Sequence, residues 1–133
     1  MVLVDTSVWV EVFRKPPRLN LERLVDFDDV VTCLPVVQEV LQGFDAEAAF
    51  IRAREALTAL PIVEVPLGRD VFLQAVDLYR AARRQGVTVR SGTDCLIAVC
   101  ALRNHLEVLH YDRDFDALAG ISALRVRNIR RAK

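Results

Sequence analysis

Short apolar runs alternate along this chain with segments whose apolar residues recur at helical spacing. Runs typical of buried strands occupy residues 2–4, 30–34 and 106–111, and weaker extended runs occupy 62–65 and 124–129. The segments between them carry apolar residues three and four positions apart, which predicts amphipathic helices. These helices are expected at residues 6–13, 19–27, 35–43, 46–60, 69–85, 91–104 and 114–120.

The alternation of strands and helices predicts a three-layer α/β/α fold with a mostly parallel central sheet. The helix expected at 91–104 is apolar on almost all sides, so we expect it near the centre of the molecule. No repeat, low-complexity segment or long linker divides the chain, and residues 1–133 are therefore expected to form one domain. In such sheets, ligands bind beyond the carboxyl ends of the strands.

Composition favours a cytoplasmic globular protein. The chain is 53% hydrophobic and 27% charged, but no stretch approaches the ~20 uninterrupted apolar residues of a membrane span. Asp5 interrupts the apolar N-terminus, which argues against a signal peptide. The three cysteines, Cys33, Cys95 and Cys100, lack metal-binding spacing and are expected to be buried, reduced thiols. We therefore expect no membrane association.

Charge is unevenly distributed along the chain, although the formal net charge is zero. Residues 1–79 contain 7 Lys/Arg and 13 Asp/Glu, whereas residues 80–133 contain 11 and 5. The basic half includes the tail from 125 to 133. Such an excess suits a polyanionic partner, and solvated helix ends explain the same distribution.

Several acidic residues occur where a surface role explains them only in part. Asp5 directly follows the first strand, and Asp112 and Asp114 follow the strand run that ends at residue 111. Asp94 opens the apolar helix, so its carboxylate is expected to point toward the interior or a cleft. An uncompensated charge there raises the pKa or costs several kcal/mol.

Helix capping is the alternative explanation for these acids. Asp5 is a candidate cap for the first helix, but Thr6 or Ser7 can replace it, and we expect a hydroxyl residue to cap. Asp94 belongs to an S-x-x-D capping box that begins three residues earlier, and Asp112 or its second neighbour can cap the short helix that follows. Capping does not explain why acids follow two different strands.

The shared strand-end position favours a metal site. It brings at least three carboxylates from distant segments to one end of the sheet, where unliganded carboxylates within ~4–6 Å repel one another. A hard divalent cation removes this repulsion, and Mg²⁺ or Mn²⁺ prefers oxygen ligands. Zinc is disfavoured because no His-x-x-x-His or Cys-x-x-Cys occurs. His105 and His110 are isolated and are expected to have structural or surface roles.

Four segments carry a resemblance to a known family. In chain order they are VLVDTSVWVEVF, the glutamate within PVVQEVLQG, VRSGTDCLIA and HYDRDFDAL. The set resembles the PIN-domain ribonucleases, especially the VapC toxins of toxin–antitoxin pairs, and it spans nearly the whole chain. The chain differs at Thr93, where many relatives carry Asn before the third acid.

The resemblance implies an acidic catalytic site. The catalytic acids it implies are, in order, Asp5, Glu39, Asp94 and Asp112. The metal ligands it implies are Asp5, Asp94, Asp112 and Asp114. Either Thr6 or Ser7 matches the hydroxyl that supports the first acid in this family.

The activity implied by the resemblance is Mg²⁺- or Mn²⁺-dependent hydrolysis of RNA phosphodiesters. Arginines near the third and fourth acids in the chain are candidate contacts for RNA phosphate: Arg80, Arg83, Arg84, Arg90 and Arg113. The resemblance also implies a homodimer and a VapB-type antitoxin, whose C-terminal segment would cover the cleft in a hetero-oligomer.

Other functions are compatible with parts of the sequence. A general RNA-processing PIN nuclease without an antitoxin would use the same acids, and a non-catalytic α/β binding module would use them only as caps. A haloacid-dehalogenase-type phosphatase needs a second acid two positions after Asp5, where this chain has Ser7. No G-x-G-x-x-G or G-K-[ST] motif indicates a nucleotide site.

Overall fold

Five strands form one sheet in the computed structural model, which describes residues 1–132 and the side chains of residues 1–130. The end of the predicted basic tail, Lys133 and the side chains of Arg131 and Ala132, lies outside the described residues. The strands are β1 (Val2–Val4), β2 (Val30–Cys33), β3 (Ile62–Val63), β4 (Glu107–His110) and β5 (Arg125–Asn128).

The strand order is β3-β2-β1-β4-β5, and every neighbouring pair is parallel. β1 lies at the centre, with Val4 opposite Leu109 of β4. Every residue of β1 and β2 is buried, as expected for strands covered by helices on both faces. The structure therefore confirms the predicted three-layer α/β fold.

Between residues 6 and 120, helices lie at the positions that the apolar spacing predicts, with one exception, whereas the short helix after the last strand was not predicted. Among the described residues, no helix has the length and apolar character needed to cross a membrane. The helices are α1 (Thr6–Phe13), α2 (Leu34–Leu41), α3 (Glu47–Thr58), α4 (Arg69–Arg84), α5 (Gly92–Arg103), α6 (Arg113–Gly120) and α7 (Ile129–Ala132).

The helix predicted at residues 19–27 is the exception. This segment forms two short 3₁₀ turns, Leu21–Arg23 and Phe27–Asp29. The side chains of Asn20 and Asp26 each accept a hydrogen bond from the backbone N–H two residues later. Such local bonds compete with the α-helical pattern, so the apolar spacing alone gives the wrong structure here.

The core lies around β1, β4 and α5. Leu3, Val4 and Leu109 have no solvent exposure, and neither do Ile97 and Cys100 of α5. The prediction of a central helix at 91–104 is confirmed. Because α5 starts beside the carboxyl ends of the central strands, its first turn faces the same region as the residues that follow β1 and β4.

Replacement of Leu3 by Ala tests the importance of the central strand. Leu3 is fully buried, so its truncation removes apolar contacts and leaves a cavity, and we expect a loss of about 2–5 kcal/mol in the free energy of unfolding. Leu73→Ala is the matched control, because Leu73 is 54% exposed and its truncation should cost less than about 0.5 kcal/mol. Urea denaturation measures both. Equal losses would contradict the assigned core.

Candidate metal centre

Asp5 ends β1 and begins α1. Its extended backbone (φ −72°, ψ 159°) makes it the N-cap residue, and its Oδ2 accepts hydrogen bonds from the Ser7 backbone N at 3.0 Å and Ser7 Oγ at 2.5 Å. The prediction that Thr6 or Ser7 caps this helix is wrong, because both residues already belong to its first turn. Capping uses one carboxylate oxygen only. The other, Oδ1, is buried without a hydrogen-bond partner among the described residues.

The two hydroxyls after Asp5 connect it to other elements. Ser7 Oγ donates to Asp5 and accepts a hydrogen bond from the Tyr111 backbone N at 2.9 Å, which joins the ends of β1 and β4. Thr6 Oγ1 donates to Glu39 Oε1 at 2.9 Å, which holds the half-buried Glu39 of α2 at the same edge of the sheet. Of the two hydroxyls that the resemblance offers as support for the first acid, Ser7 bonds to Asp5, whereas Thr6 bonds to Glu39.

Asp94 lies in the first turn of α5 and is 6% exposed. Ser91 caps this helix, as its position predicts, and its Oγ accepts a hydrogen bond from the Thr93 backbone N at 3.2 Å. With the cap supplied by Ser91, the buried carboxylate of Asp94 is not needed for helix initiation.

The two acids after β4 have different local roles. Asp112 caps α6, since its Oδ1 accepts a hydrogen bond from the Asp114 backbone N at 3.0 Å. Asp114 lies in the first turn and is 4% exposed. One oxygen from each of Asp94, Asp112 and Asp114 lies within 4.8 Å of the others, which makes this trio a candidate metal-binding group.

One cleft of about 390 Å³ brings the predicted acids together. Asp5 and Glu39 line it, although they lie outside the tight trio. The full lining consists of Asp5, Thr6, Ser7, Glu39, Arg90, Ser91, Asp94, Asp112 and Asp114.

The structure separates the predicted phosphate-binding arginines. Arg80, Arg83 and Arg84 near the end of α4 line a different depression of about 220 Å³ and do not line the acidic cleft. Arg113 lines a neighbouring cleft, and Arg90 lines both that cleft and the acidic one. Proximity in the chain to the third acid therefore does not place a side chain near it.

Arg90 binds the acids directly. Its Nε and backbone N donate to Asp114 Oδ2, each at 3.2 Å, and its Nη2 donates to Asp112 Oδ1 at 2.9 Å. The hydrogen bond and charge of Asp114 raise the pKa of Arg90 further, so the guanidinium stays charged. Sequence reasoning identified Arg90 as a candidate for substrate contact and missed that it is a counter-ion for two of the acids.

Burial is the main cause that raises the pKa values of Asp94 and Asp5, and the charges of neighbouring acids add to it. Loss of solvation raises the pKa of Asp94 to about 8, with further contributions from the charges of Asp5, Asp112, Glu39 and Asp114. Burial also raises the pKa of Asp5, and its hydrogen bonds with Ser7 offset part of this effect. These shifts indicate that one arginine does not fully compensate the charge of the cleft.

The donor set fits a hard divalent cation. The cleft offers several carboxylate oxygens, including the unpartnered Oδ1 of Asp5, and no His or Cys lines it. Oxygen-only sites suit Mg²⁺ or Mn²⁺ rather than zinc. A bound cation would supply the missing positive charge and the missing partner for Asp5.

His110 fixes the turn that carries Asp112. It is fully buried, and its Nδ1 accepts a hydrogen bond from the Asp112 backbone N at 3.1 Å. Burial lowers the pKa of His110, so the neutral ring carries its proton on Nε2, 3.4 Å from Asp116 Oδ1. As predicted, His110 has a structural role.

Sequence reasoning missed the residues beside the acidic cleft. Tyr111, Asn128 and Arg130 line the neighbouring cleft with Arg113. The end of the last strand could have indicated these residues, because Asn128 ends β5 at the same carboxyl edge of the sheet as the acids.

A family model, two curated proteins and a solved structure each match most of this chain. The family model described as "PIN domain" matches residues 2–121. Ribonuclease VapC11 of Mycobacterium tuberculosis (strain H37Rv) is 37% identical over 135 residues, which covers 98% of this chain and 100% of that protein. Ribonuclease VapC51 of the same strain is 31% identical over 120 residues, covering 90% and 86%. The structure of VapBC-5 from Mycobacterium tuberculosis, a VapBC-family toxin–antitoxin system, has a TM-score of 0.71 at 24% identity and covers 96% of this chain and 97% of that one.

Asp94→Asn should change how the stability of the metal-free protein depends on pH. The pKa of Asp94 is raised from 3.8 to about 8, so the folded state holds a proton that the unfolded chain releases. This stabilisation is complete below about pH 4 and is lost as the pH rises to about 8. The melting temperature of the variant, measured with EDTA, should therefore rise relative to wild type between about pH 5 and pH 8. For a domain of this length, each kcal/mol of change in the free energy of unfolding shifts the melting temperature by roughly 3–4 °C.

The exposed substitution Asp77→Asn is the control and should give a difference that does not vary with pH. A pH-independent difference for Asp94→Asn as well would contradict the raised pKa.

Proposed function

The chain belongs to the PIN-domain family, and from that premise we propose that it is a metal-dependent endoribonuclease, the toxin of a VapBC-type toxin–antitoxin pair. The observation that carries the proposal is the convergence of five carboxylates from four distant segments in one cleft. Asp5, Asp94 and Asp114 are buried there despite the cost of burying charge. Metal-assisted hydrolysis of a phosphodiester gives these acids a common purpose.

The ion would be Mg²⁺ or Mn²⁺. Asp94, Asp112 and Asp114 would hold it, since their oxygens already lie within 4.8 Å of one another, and Asp5 would contribute its unpartnered Oδ1. When bound, such an ion polarises a phosphoryl oxygen and lowers the pKa of a water molecule. The protein contributes the fixed positions of these ligands: capping bonds immobilise Asp5 and Asp112, and burial in the first helical turns restricts Asp94 and Asp114.

Glu39 would orient the attacking water. Thr6 holds one of its oxygens, so the carboxylate is fixed at the edge of the cleft and retains acceptor capacity for a second partner. This role needs no general-base histidine, in agreement with the use of His110 as a buried structural group.

The proposed partners follow from the relatives. An RNA substrate is supported by the ribonuclease names of VapC11 and VapC51, and a VapB-type antitoxin is supported by the VapBC complex that shares this fold. A homodimer, a toxin–antitoxin hetero-oligomer and a cytoplasmic location complete the proposal.

A non-catalytic binding module is the alternative that the capping geometry favours most. Asp5 and Asp112 are indeed N-caps, as that alternative requires. Capping does not account for Asp94 or Asp114, nor for the unpartnered oxygen of Asp5. These three observations favour a metal site over a module that uses acids only as caps.

Asp94→Asn tests the proposed activity. It preserves shape and removes one charge from the metal ligands, so we expect at least about a 100-fold loss of Mn²⁺-dependent RNA cleavage, equivalent to several kcal/mol. Isothermal titration should show weaker Mn²⁺ binding by the same variant. Asp77→Asn is the matched control and should behave as wild type in both measurements. Cleavage by the wild-type protein that persists in EDTA would contradict the proposal. Cleavage at the wild-type rate by both Asp94→Asn and Asp5→Ala would contradict it as well.

An antitoxin gene distinguishes the toxin from a general RNA-processing enzyme. We expect a short reading frame beside this gene whose product copurifies with the chain and blocks cleavage. When this product is bound, the fold should remain unchanged, and the backbone amides around the acidic cleft should exchange more slowly with solvent. An isolated gene whose product cleaves RNA without any inhibitor would favour the general PIN nuclease.

A further inference from the structure

A second cleft adjoins the acidic one and has the opposite character. It has a volume of about 570 Å³, and we refer to it as the arginine cleft. Three of its lining residues, Ser7, Arg90 and Asp112, also line the acidic cleft, so the two clefts are adjacent. The remaining lining residues are Tyr111, Arg113, Asn128 and Arg130.

The arginine cleft carries available positive charge. Arg90 is committed to Asp112 and Asp114, but among the described residues neither Arg113 nor Arg130 forms an ion pair with a carboxylate. Both side chains belong to exposed residues. Arg130 lies over the ring of Tyr111 at 4.8 Å from its centroid, a contact that positions the guanidinium without neutralising it.

Local hydrogen bonds fix the backbone on the far side of the arginine cleft. Asn128 Oδ1 accepts a hydrogen bond from the Arg130 backbone N at 3.0 Å, and Asn128 Nδ2 donates to Asp116 Oδ2 at 3.0 Å. Arg130 is thereby tied to the end of β5 and, through Asp116, to the helix that follows Asp112. The cationic residues and the acids are therefore held on one connected framework.

We propose that the arginine cleft is a substrate subsite that binds the sugar–phosphate backbone of single-stranded RNA next to the phosphodiester at the acids. This inference rests on the proposed nuclease function and names residues for it: Arg113 and Arg130 contact phosphates that flank the reacting one. Because the two clefts share Ser7, Arg90 and Asp112, a strand whose reacting phosphate lies at the acids would extend into the arginine cleft.

The lining favours RNA over an acidic protein segment. Charged and polar side chains make up most of the lining of the arginine cleft, and no aliphatic side chain contributes to it. A polyanionic backbone needs charge and hydrogen-bond donors rather than apolar pockets. The cleft also shares Asp112 with the acidic trio, which suits a ligand with charges repeated along its length.

RNA binding by an inactive protein tests the subsite. In the Asp94→Asn background, fluorescence anisotropy measures the affinity for a labelled single-stranded RNA dodecamer over a range of KCl concentrations. Arg113→Gln with Arg130→Gln should weaken binding about tenfold or more at low salt, and the slope of log K against log salt should fall in magnitude by about 0.7 for each phosphate that is no longer neutralised. Arg113→Lys with Arg130→Lys should retain the slope. Arg80→Gln with Arg83→Gln is the matched control, because these arginines line a separate depression, and should bind as the parent does.

The possible outcomes separate this inference from the nuclease proposal. Unchanged affinity and slope in the Gln pair overturn the subsite, and cleavage by the wild-type chain with Mn²⁺ would then leave the nuclease proposal standing. Arginine-dependent RNA binding by a wild-type chain that does not cleave RNA contradicts the nuclease proposal and, with it, the assignment of the arginine cleft as a substrate subsite. Arginine-dependent binding of poly-glutamate, with no binding of RNA, overturns the assignment to RNA. Circular dichroism spectra that match the parent show that each variant is folded.

Discussion

Repulsion among carboxylates is the constraint on which this end of the molecule depends. The parallel sheet brings the ends of β1, β2 and β4 to one edge, and the helices that follow deliver acids there. Water cannot screen Asp5, Asp94 and Asp114 because they are buried. The positive charge of Arg90 and the N–H groups at the helix starts offset part of the repulsion. The raised pKa of Asp94 reduces it further, because the acid keeps its proton to a higher pH. The remaining deficit is what makes the cleft suited to a divalent cation.

Capping and metal binding are not competing explanations for an acid at the end of a strand. Asp5 uses Oδ2 for the first turn of α1 and leaves Oδ1 unpartnered, whereas Asp112 uses Oδ1 for both the first turn of α6 and Arg90. A capped carboxylate has a fixed orientation, which favours metal coordination because less side-chain entropy is lost. The capping bond thus prepares the acid for a second partner.

Most of the fold could be predicted from local apolar patterns because strands and helices in this chain are short and regularly spaced. Asp5, Asp112 and Asp114 could be found because strand ends in a parallel sheet share an edge, a rule that needs no side-chain coordinates. Asp94 was found from the apolar helix that it opens, and Glu39 only from the family resemblance. The rule did not extend to the arginines. Arg80, Arg83 and Arg84 occupy the last turns of α4, and their direction depends on how α4 packs on α5. The pairing of Arg90 with Asp112 and Asp114 spans more than twenty residues of chain and follows from the path of the loop before α5. At residues 19–27, the hydrogen bonds that the side chains of Asn20 and Asp26 accept from the backbone overrode the apolar spacing.

The hydroxyl of Ser7 has a consequence for the order in which this protein opens. It bonds to Asp5 and accepts from the Tyr111 backbone N, directly beyond the bond from the Asp5 backbone N to Leu109 O at 2.9 Å. The tips of the two central strands are therefore closed by the same bonds that orient the first acid. Local unfolding of the site and separation of β1 from β4 become one cooperative event with a single opening free energy. The geometry of the acidic cleft then persists for as long as the centre of the sheet does.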